Sequence, residues 1–393
     1  MHAKEFLHKT LSSVIHKKRL SVLADLVQGL LINKKLSVTE LGRGISTQAT
    51  EHSAIRRSDR LIGNKHIHAE LFSIYATQIA LIIGSKQRPE IIVDWTHIPN
   101  TKFYALRAAL ACKGRALTLY EEVHTEKKLG NRKIERNFLK QLKKLIPNHC
   151  IPIIVTDAGF HNEWFKTVLM LEWDYVGRVR GLKVYHDGKN WIPCKSLMSK
   201  ATKTEKYLGE FMLCKSTNKI TTNFFLIKEK KKIRKQYGIH KSRRGGRDRK
   251  NHRLSAKEPW LLVSSLKGKN YLAAKRVVKT YKKRMQIEEA FRDLKSPRFG
   301  FGFRHAYSRS LKRIVILLLV AMLASFVAWL TGYVIEQKKQ HFQFQVNSVK
   351  SKRVLSLFFL GCRAINRQIE VKISELFGAL QAMREDEKET GCV

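Results

Sequence analysis

Over roughly the first 85 residues, apolar positions recur at the three-to-four spacing of amphipathic helices, in segments such as LSVTELGRGIS and IRRSDRLIGN. From Glu90 the period changes. EIIVDWT is a short apolar run expected to end as a strand at Asp94, and FYALRAALACKGRALTLYEEV reads as two strands turning at Lys113 and Gly114. RKIERNFLKQLKKLI returns to helical spacing. IPIIVTDAGF then supplies a fourth buried strand that delivers Asp157 at its end.

Three antiparallel strands, a helix and a further strand is the order of a ribonuclease-H-like core, so the expected class is α/β. Beyond it, DYVGRVRG, KYLGEFMLC and TNFFLIKEK read as additional strands, with WLLVSSL as the last of them. They make a β-strand insertion over about 173–262, interrupted by a basic run from Lys228 to Lys257 that reads as a solvated loop or a flexible DNA-backbone contact. A long helix is expected to begin near Ala273. The domain expectation is a helical DNA-end-binding region over 1–85, a catalytic domain over 86–335, and a C-terminal helical region over 336–393.

Charge narrows the partner. With 76 Lys plus Arg against 32 Asp plus Glu, the 393-residue chain carries a formal charge of +44. Nucleic acid is the natural counterpart, because each neutralised phosphate releases condensed counterions. A ribosome-associated or membrane-surface protein is the alternative reading of such charge. In that setting Arg56, Arg57 and Arg60 make the N-terminal helix a candidate DNA-reading element, and otherwise a solvated basic face. The six cysteines have no C-x-x-C pair or histidine at zinc-ligand spacing, and read as reduced thiols of a cytoplasmic protein. MHAKEFLHKTLSSVIHKKRL lacks the continuous apolar stretch of a signal peptide. Ile314 to Ile335 contains no charge and is long enough to span a bilayer, but Ser325, Thr331 and Gly332 within it favour a buried core helix.

Against so basic a background, carboxylates beside apolar strands are informative. Asp94 and Asp157 stand where neighbouring strands of one sheet would bring them together, and two such carboxylates tolerate each other when divalent metal ions supply positive charge. Taken singly, each also reads as an ordinary turn residue. The segment YKKRMQIEEAFRDLK adds a third acid: at about 100° per residue of helix, Tyr281, Arg284, Glu288 and Lys295 fall on one face. Ile287, Ala290, Phe291 and Leu294 form the opposite, core-facing stripe. Glu288 and Arg284 also fit a simple i,i+4 surface pair.

The spacing Tyr281-x2-Arg284-x3-Glu288-x6-Lys295 resembles the Y-R-E-K signature of bacterial insertion-sequence transposases that use an Asp-Asp-Glu triad. IIVDWT around Asp94, IVTDAGF around Asp157, VRG at 179–181 and SAKEPW at 255–260 are similar to the branch containing the transposase of the tetracycline-resistance transposon. The resemblance covers nearly the whole chain. It implies a DNA transposase with Asp94, Asp157 and Glu288 as catalytic metal ligands for two Mg²⁺ ions, Mn²⁺ substituting. It implies Tyr281, Arg284 and Lys295 as phosphate-holding residues that help keep a flipped nucleotide out of the stack, and Arg178 and Arg180 as further DNA contacts; Met285, beside that face, reads either as a wedge or as a core methionine. It implies cut-and-paste movement: water nicks one strand, the freed 3′-OH forms a hairpin with the opposite strand, water reopens it, and the same 3′-OH joins target DNA. Terminal inverted repeats and target DNA are the implied partners, bound by a homodimer in the bacterial cytoplasm at the nucleoid. A nuclease of the same fold, an inactive DNA-binding descendant and a membrane protein are the rival readings.

Overall fold

The computed structural model describes residues 3–215, 218–229, 258–346, 348–349 and 351–385. The basic run called a DNA contact lies mostly at 230–257, outside the described residues, as does Cys392.

In chain order the elements are α1 (Ala3–Leu11), α2 (Lys17–Asn33), α3 (Val38–Arg43), α4 (Glu51–Ile62), α5 (Lys65–Ile83), β1 (Glu90–His97), β2 (Phe103–Ala111), β3 (Ala116–Thr125), α6 (Arg132–Leu145) and β4 (Ile153–Thr156). There follow α7 (Asn162–Met170), β5 (Asp174–Val179), β6 (Val184–His186), β7 (Trp191–Pro193), β8 (Lys206–Leu213), β9 (Ile220–Ile227) and β10 (Trp260–Ser264). The chain continues through α8 (Tyr271–Lys282), α9 (Met285–Lys295), α10 (Leu311–Gln337), α11 (Leu357–Asn366) and α12 (Ile373–Glu385). They form two compact units, one of Met1–Pro152 with Met285–Val393, the other of Ile153–Arg284.

The first unit contains the antiparallel ladder β1–β2–β3. Its helices begin where short polar side chains satisfy the free amides of a first turn. Ser37 accepts from the Glu40 amide, Thr50 from that of Ser53, and Asn131 from those of Lys133 and Ile134. Thr50 starts α4 at Glu51, four residues ahead of Ile55, where the segment IRRSDRLIGN begins.

α10 is the centre of this unit. Its apolar residues from Ile314 to Ile335 are almost all buried, packed against β3, α2, α11 and α12, which accounts for a charge-free stretch in so basic a chain. Two described helices, Lys65–Ile83 and Leu311–Gln337, are long and apolar enough to cross a membrane, and 89% of the second one's apolar window is buried inside the fold. Backbone meets backbone where α10 crosses α11: a Cβ on Gly332 would lie 1.9 Å from the Leu357 carbonyl oxygen, and one on Gly361 1.8 Å from that of Ala328. Glycine is required at both positions.

In the second unit β4 runs parallel to β5, and β5, β10, β9, β8, β6 and β7 continue as an antiparallel series. α7 packs on β5, and α8 packs on β5, β8 and β9. The short strands β6 and β7 and helix α7 were not read from the sequence.

Candidate active site

In the first unit the chain does not stop being a strand at Asp94. β1 continues to His97, so Asp94 sits mid-strand, half-buried, with Ile91, Ile92 and Val93 buried before it. The strand is prolonged because Trp95, Thr96 and His97 pair with Leu106, Ala105 and Tyr104 of β2; the Trp95 indole also donates to Glu135 at 3.1 Å, and Thr96 is buried. Directly opposite Asp94 on β2 is Arg107.

α9 packs on β1, β2 and β3; of the stripe expected to face the core, Ile287, Phe291 and Leu294 are buried and Ala290 is half-buried. At its end the Lys295 ammonium donates to Thr96 Oγ1 at 2.5 Å and lies 5.6 Å from the centre of the Phe291 ring. Burial pushes the Lys295 pKa down to about 8, reinforced by the positive charges of Arg107 and Arg304 and opposed by Asp94. The adjacent acids of α9 part ways. Glu289 is half-buried and paired with Arg292 and with Arg115, the latter at 3.8 Å, whereas Glu288 is exposed. Arg115 also binds Asp293 at 2.5 Å; burial raises the Asp293 carboxyl above its usual range and this ion pair opposes the rise.

The single helical face expected for Tyr281, Arg284, Glu288 and Lys295 is not continuous. α8 ends at Lys282 and α9 begins at Met285, because the amides of Lys283 and Arg284 bond to the carbonyls of Thr280 and Tyr281, three residues back. The angular count holds inside α9, where Glu288 and Lys295 are seven residues apart and share a face.

In the second unit Asp157 follows the fully buried β4 and is half-buried, its Oδ1 accepting from the Gly159 amide at 2.8 Å. Tyr281 is buried, edge-on to Trp260 with ring centres 5.0 Å apart, and the Arg284 guanidinium lies 5.9 Å from the tyrosine ring. Burial raises the Tyr281 pKa; Arg284 and Arg178 pull it back, and Asp157 adds to the rise. Tyr281, Arg284, Arg178 and Asp157 thus share one electrostatic neighbourhood. Arg180 binds Glu258 at 2.6 Å, with Arg178 3.5 Å from the same oxygen. Desolvation lowers the Arg178 pKa.

Of the N-terminal arginines, Arg56 and Arg60 are exposed on α4, while Arg57 turns inward to Asp25 at 2.8 Å. Asp59, between them, pairs with Arg313 at the start of α10.

The family model for the transposase DDE domain matches residues 85–327, well over half of the chain, and spans Asp94, Asp157 and Glu288. The chain belongs to this family. No curated protein matches it.

Among the described residues of this transposase, no group of three His, Cys, Asp or Glu side chains is gathered at metal-ligating spacing. The donor chemistry nonetheless suits a hard cation. Asp94, Asp157 and Glu288 offer carboxylate oxygens alone, and Mg²⁺ needs one or two of these when waters and substrate phosphates complete its shell. Sequence reasoning did not single out Arg107, Glu121 or Arg304, and met Thr96 and Trp260 only as end residues of segments such as IIVDWT and SAKEPW. The available signal was Arg107, a charged residue inside an otherwise apolar strand.

Proposed function

We propose that this chain is the transposase of a bacterial insertion sequence, related to that of the tetracycline-resistance transposon, and that it moves its element by cut and paste. The observation that carries the reading is the meeting of α9 with β1. Lys295, two turns after Glu288 and on the same face, donates to Thr96, two residues beyond Asp94 on the same side of the strand. One carboxylate from a strand and one from a helix, with an ammonium between the elements, is an arrangement suited to a phosphodiester and its counter-ions.

Transposases of this family use divalent metals. Asp94, Asp157 and Glu288 would hold two Mg²⁺ ions, with Mn²⁺ able to replace them. When bound, the metals neutralise the phosphate and polarise the attacking and leaving oxygens. The chain's own cations do the holding. Lys295, Tyr281 and Arg284 grip phosphates next to the cut, Arg178 and Arg180 contact the strand beyond, and Met285, exposed at the start of α9, enters the space left by a flipped nucleotide. Arg56, Arg57 and Arg60 on α4 read the terminal repeat, Arg57 exchanging Asp25 for a phosphate.

The order β1–β2–β3, α6, β4 supports a ribonuclease-H-like core within 86–335, carrying an inserted strand region at about 173–262. It would be flanked by an end-binding domain over 1–85 and a dimerisation region over 336–393, with two copies bringing two ends together at the nucleoid. The test uses the purified chain and duplexes ending in the inverted repeats that flank its gene. Nicking, hairpin-ended intermediates and joining to a target plasmid are the expected products; cleavage without joining would make it a nuclease of the same family.

A further inference from the structure

Arg107 and Glu121 form a buried ion pair, with side-chain exposures of 5% and 2%. Both Nε and Nη2 of Arg107 donate to Glu121 Oε2, at 2.9 and 2.7 Å. Burying two charges is costly, and an apolar pair of similar volume would pack as well or better, so stability alone does not explain the pair.

Its placement supplies a reason. Arg107 is the direct cross-strand partner of Asp94 on one side and of Glu121 on the other, so the three side chains line one face of β1–β2–β3. The last alignment depends on an irregularity. The ladder between β2 and β3 shifts by one residue between Ala108 and Ala109, and without that bulge Arg107 would stand opposite Tyr120. Bulges of this kind re-aim side chains next to functional sites. The guanidinium so placed lies 5.0 Å from the centre of the Phe291 ring on α9, and the Lys295 ammonium lies 5.6 Å from the same ring. Phe291 is one turn from Glu288 and one turn from Lys295.

We infer that Arg107, clamped by Glu121, is a positioning residue that seats α9 through Phe291 and so sets the approach of Glu288 to Asp94. The inference rests on the assignment of those two carboxylates to metal binding. A cation placed there for its charge alone would repel a divalent metal, whereas a brace that aligns the ligands favours binding. Its removal therefore has opposite signs in the two cases.

The test is Mn²⁺ binding to the full-length protein without DNA, followed by electron paramagnetic resonance, together with thermal melting. The double variant Arg107→Met/Glu121→Leu removes both charges and strands neither. It is expected to weaken Mn²⁺ binding about tenfold with little change in melting temperature. Phe291→Leu, which keeps the ion pair and removes the ring, is expected to weaken binding in the same direction and covers the case in which the double variant does not fold. Unchanged or tighter Mn²⁺ binding in either folded variant overturns the inference. Asp94→Asn in the same titration separates the layers: if it binds Mn²⁺ like the wild type, the carboxylate assignment itself fails and takes the positioning role with it.

Discussion

The Lys295 ammonium donates to the Thr96 hydroxyl across 2.5 Å, in a half-buried setting that brings the lysine pKa down to about 8. It is mostly charged at pH 7 and loses its proton within the range of ordinary assays. Binding of a DNA phosphate favours the charged form. Affinity for a terminal-repeat duplex should therefore fall from pH 7.5 to 9.5, and Lys295→Arg, which does not titrate there, should flatten the profile. The sign for stability is the reverse. Between about 8 and the ordinary 10.5 the unfolded chain binds more protons at this site than the folded one, so the Lys295 contribution to stability rises with pH. Melting curves of wild type and Lys295→Met, compared at pH 7.5 and 9.5, should shift toward the wild type at the higher pH.

Glu288 and Glu289 are chemically identical neighbours on α9 with different surroundings. Glu289 is committed to Arg115 and Arg292, and Glu288 shares the face of Lys295. Glu288→Gln should lower hairpin formation on pre-cut ends with a free 3′-OH by several orders of magnitude. Glu289→Gln should act mainly through stability, costing about 1 kcal/mol, in line with a partly exposed ion pair. If Glu289→Gln abolishes hairpin formation and Glu288→Gln does not, the third carboxylate is misassigned.

Glycine positions in the C-terminal helices give a contrast in stability. A Cβ on Gly361 would meet the Ala328 carbonyl oxygen at 1.8 Å, and backbone cannot swing aside. Gly361→Ala should destabilise the protein by about 3 kcal/mol or more, since α10 and α11 must separate. Gly378 in α12 has nothing within 4 Å of its added Cβ. Gly378→Ala should be neutral or stabilising by up to about 1 kcal/mol. Urea unfolding of both variants checks the pair.

The sequence was a good guide wherever one period ran through one element. The hairpin at Lys113–Gly114, α6, the apolar run of β4 ending beside Asp157, and the buried face of α9 stand where the pattern put them. Two features escaped it for physical reasons. The break at Lys283–Arg284 involves neither proline nor glycine; two amides shift to carbonyls three residues back, and residue identity does not advertise that. The bulge in β3 moves Arg107 from Tyr120 to Glu121, and a single extra residue in a strand leaves alternation on either side looking regular. The partners of Arg57, Arg178 and Arg180 are distant in sequence, so the arginines read as DNA contacts with no sign of the acid that the fold sets beside each.

The claim at the centre of this account is that Asp94, Asp157 and Glu288 perform metal-dependent phosphodiester chemistry apart from the residues that read DNA. The most direct measurement is the rate of strand cleavage at a terminal-repeat end by Asp94→Asn and Asp157→Asn in Mg²⁺, paired with end binding in Ca²⁺. Ca²⁺, larger and less strict in geometry, is expected to allow assembly with little chemistry. The predicted result is loss of cleavage by several orders of magnitude in each variant, with end affinity within about threefold of wild type and no wild-type cleavage in EDTA. Cleavage at the wild-type rate by either variant, or undiminished cleavage in EDTA, would contradict it.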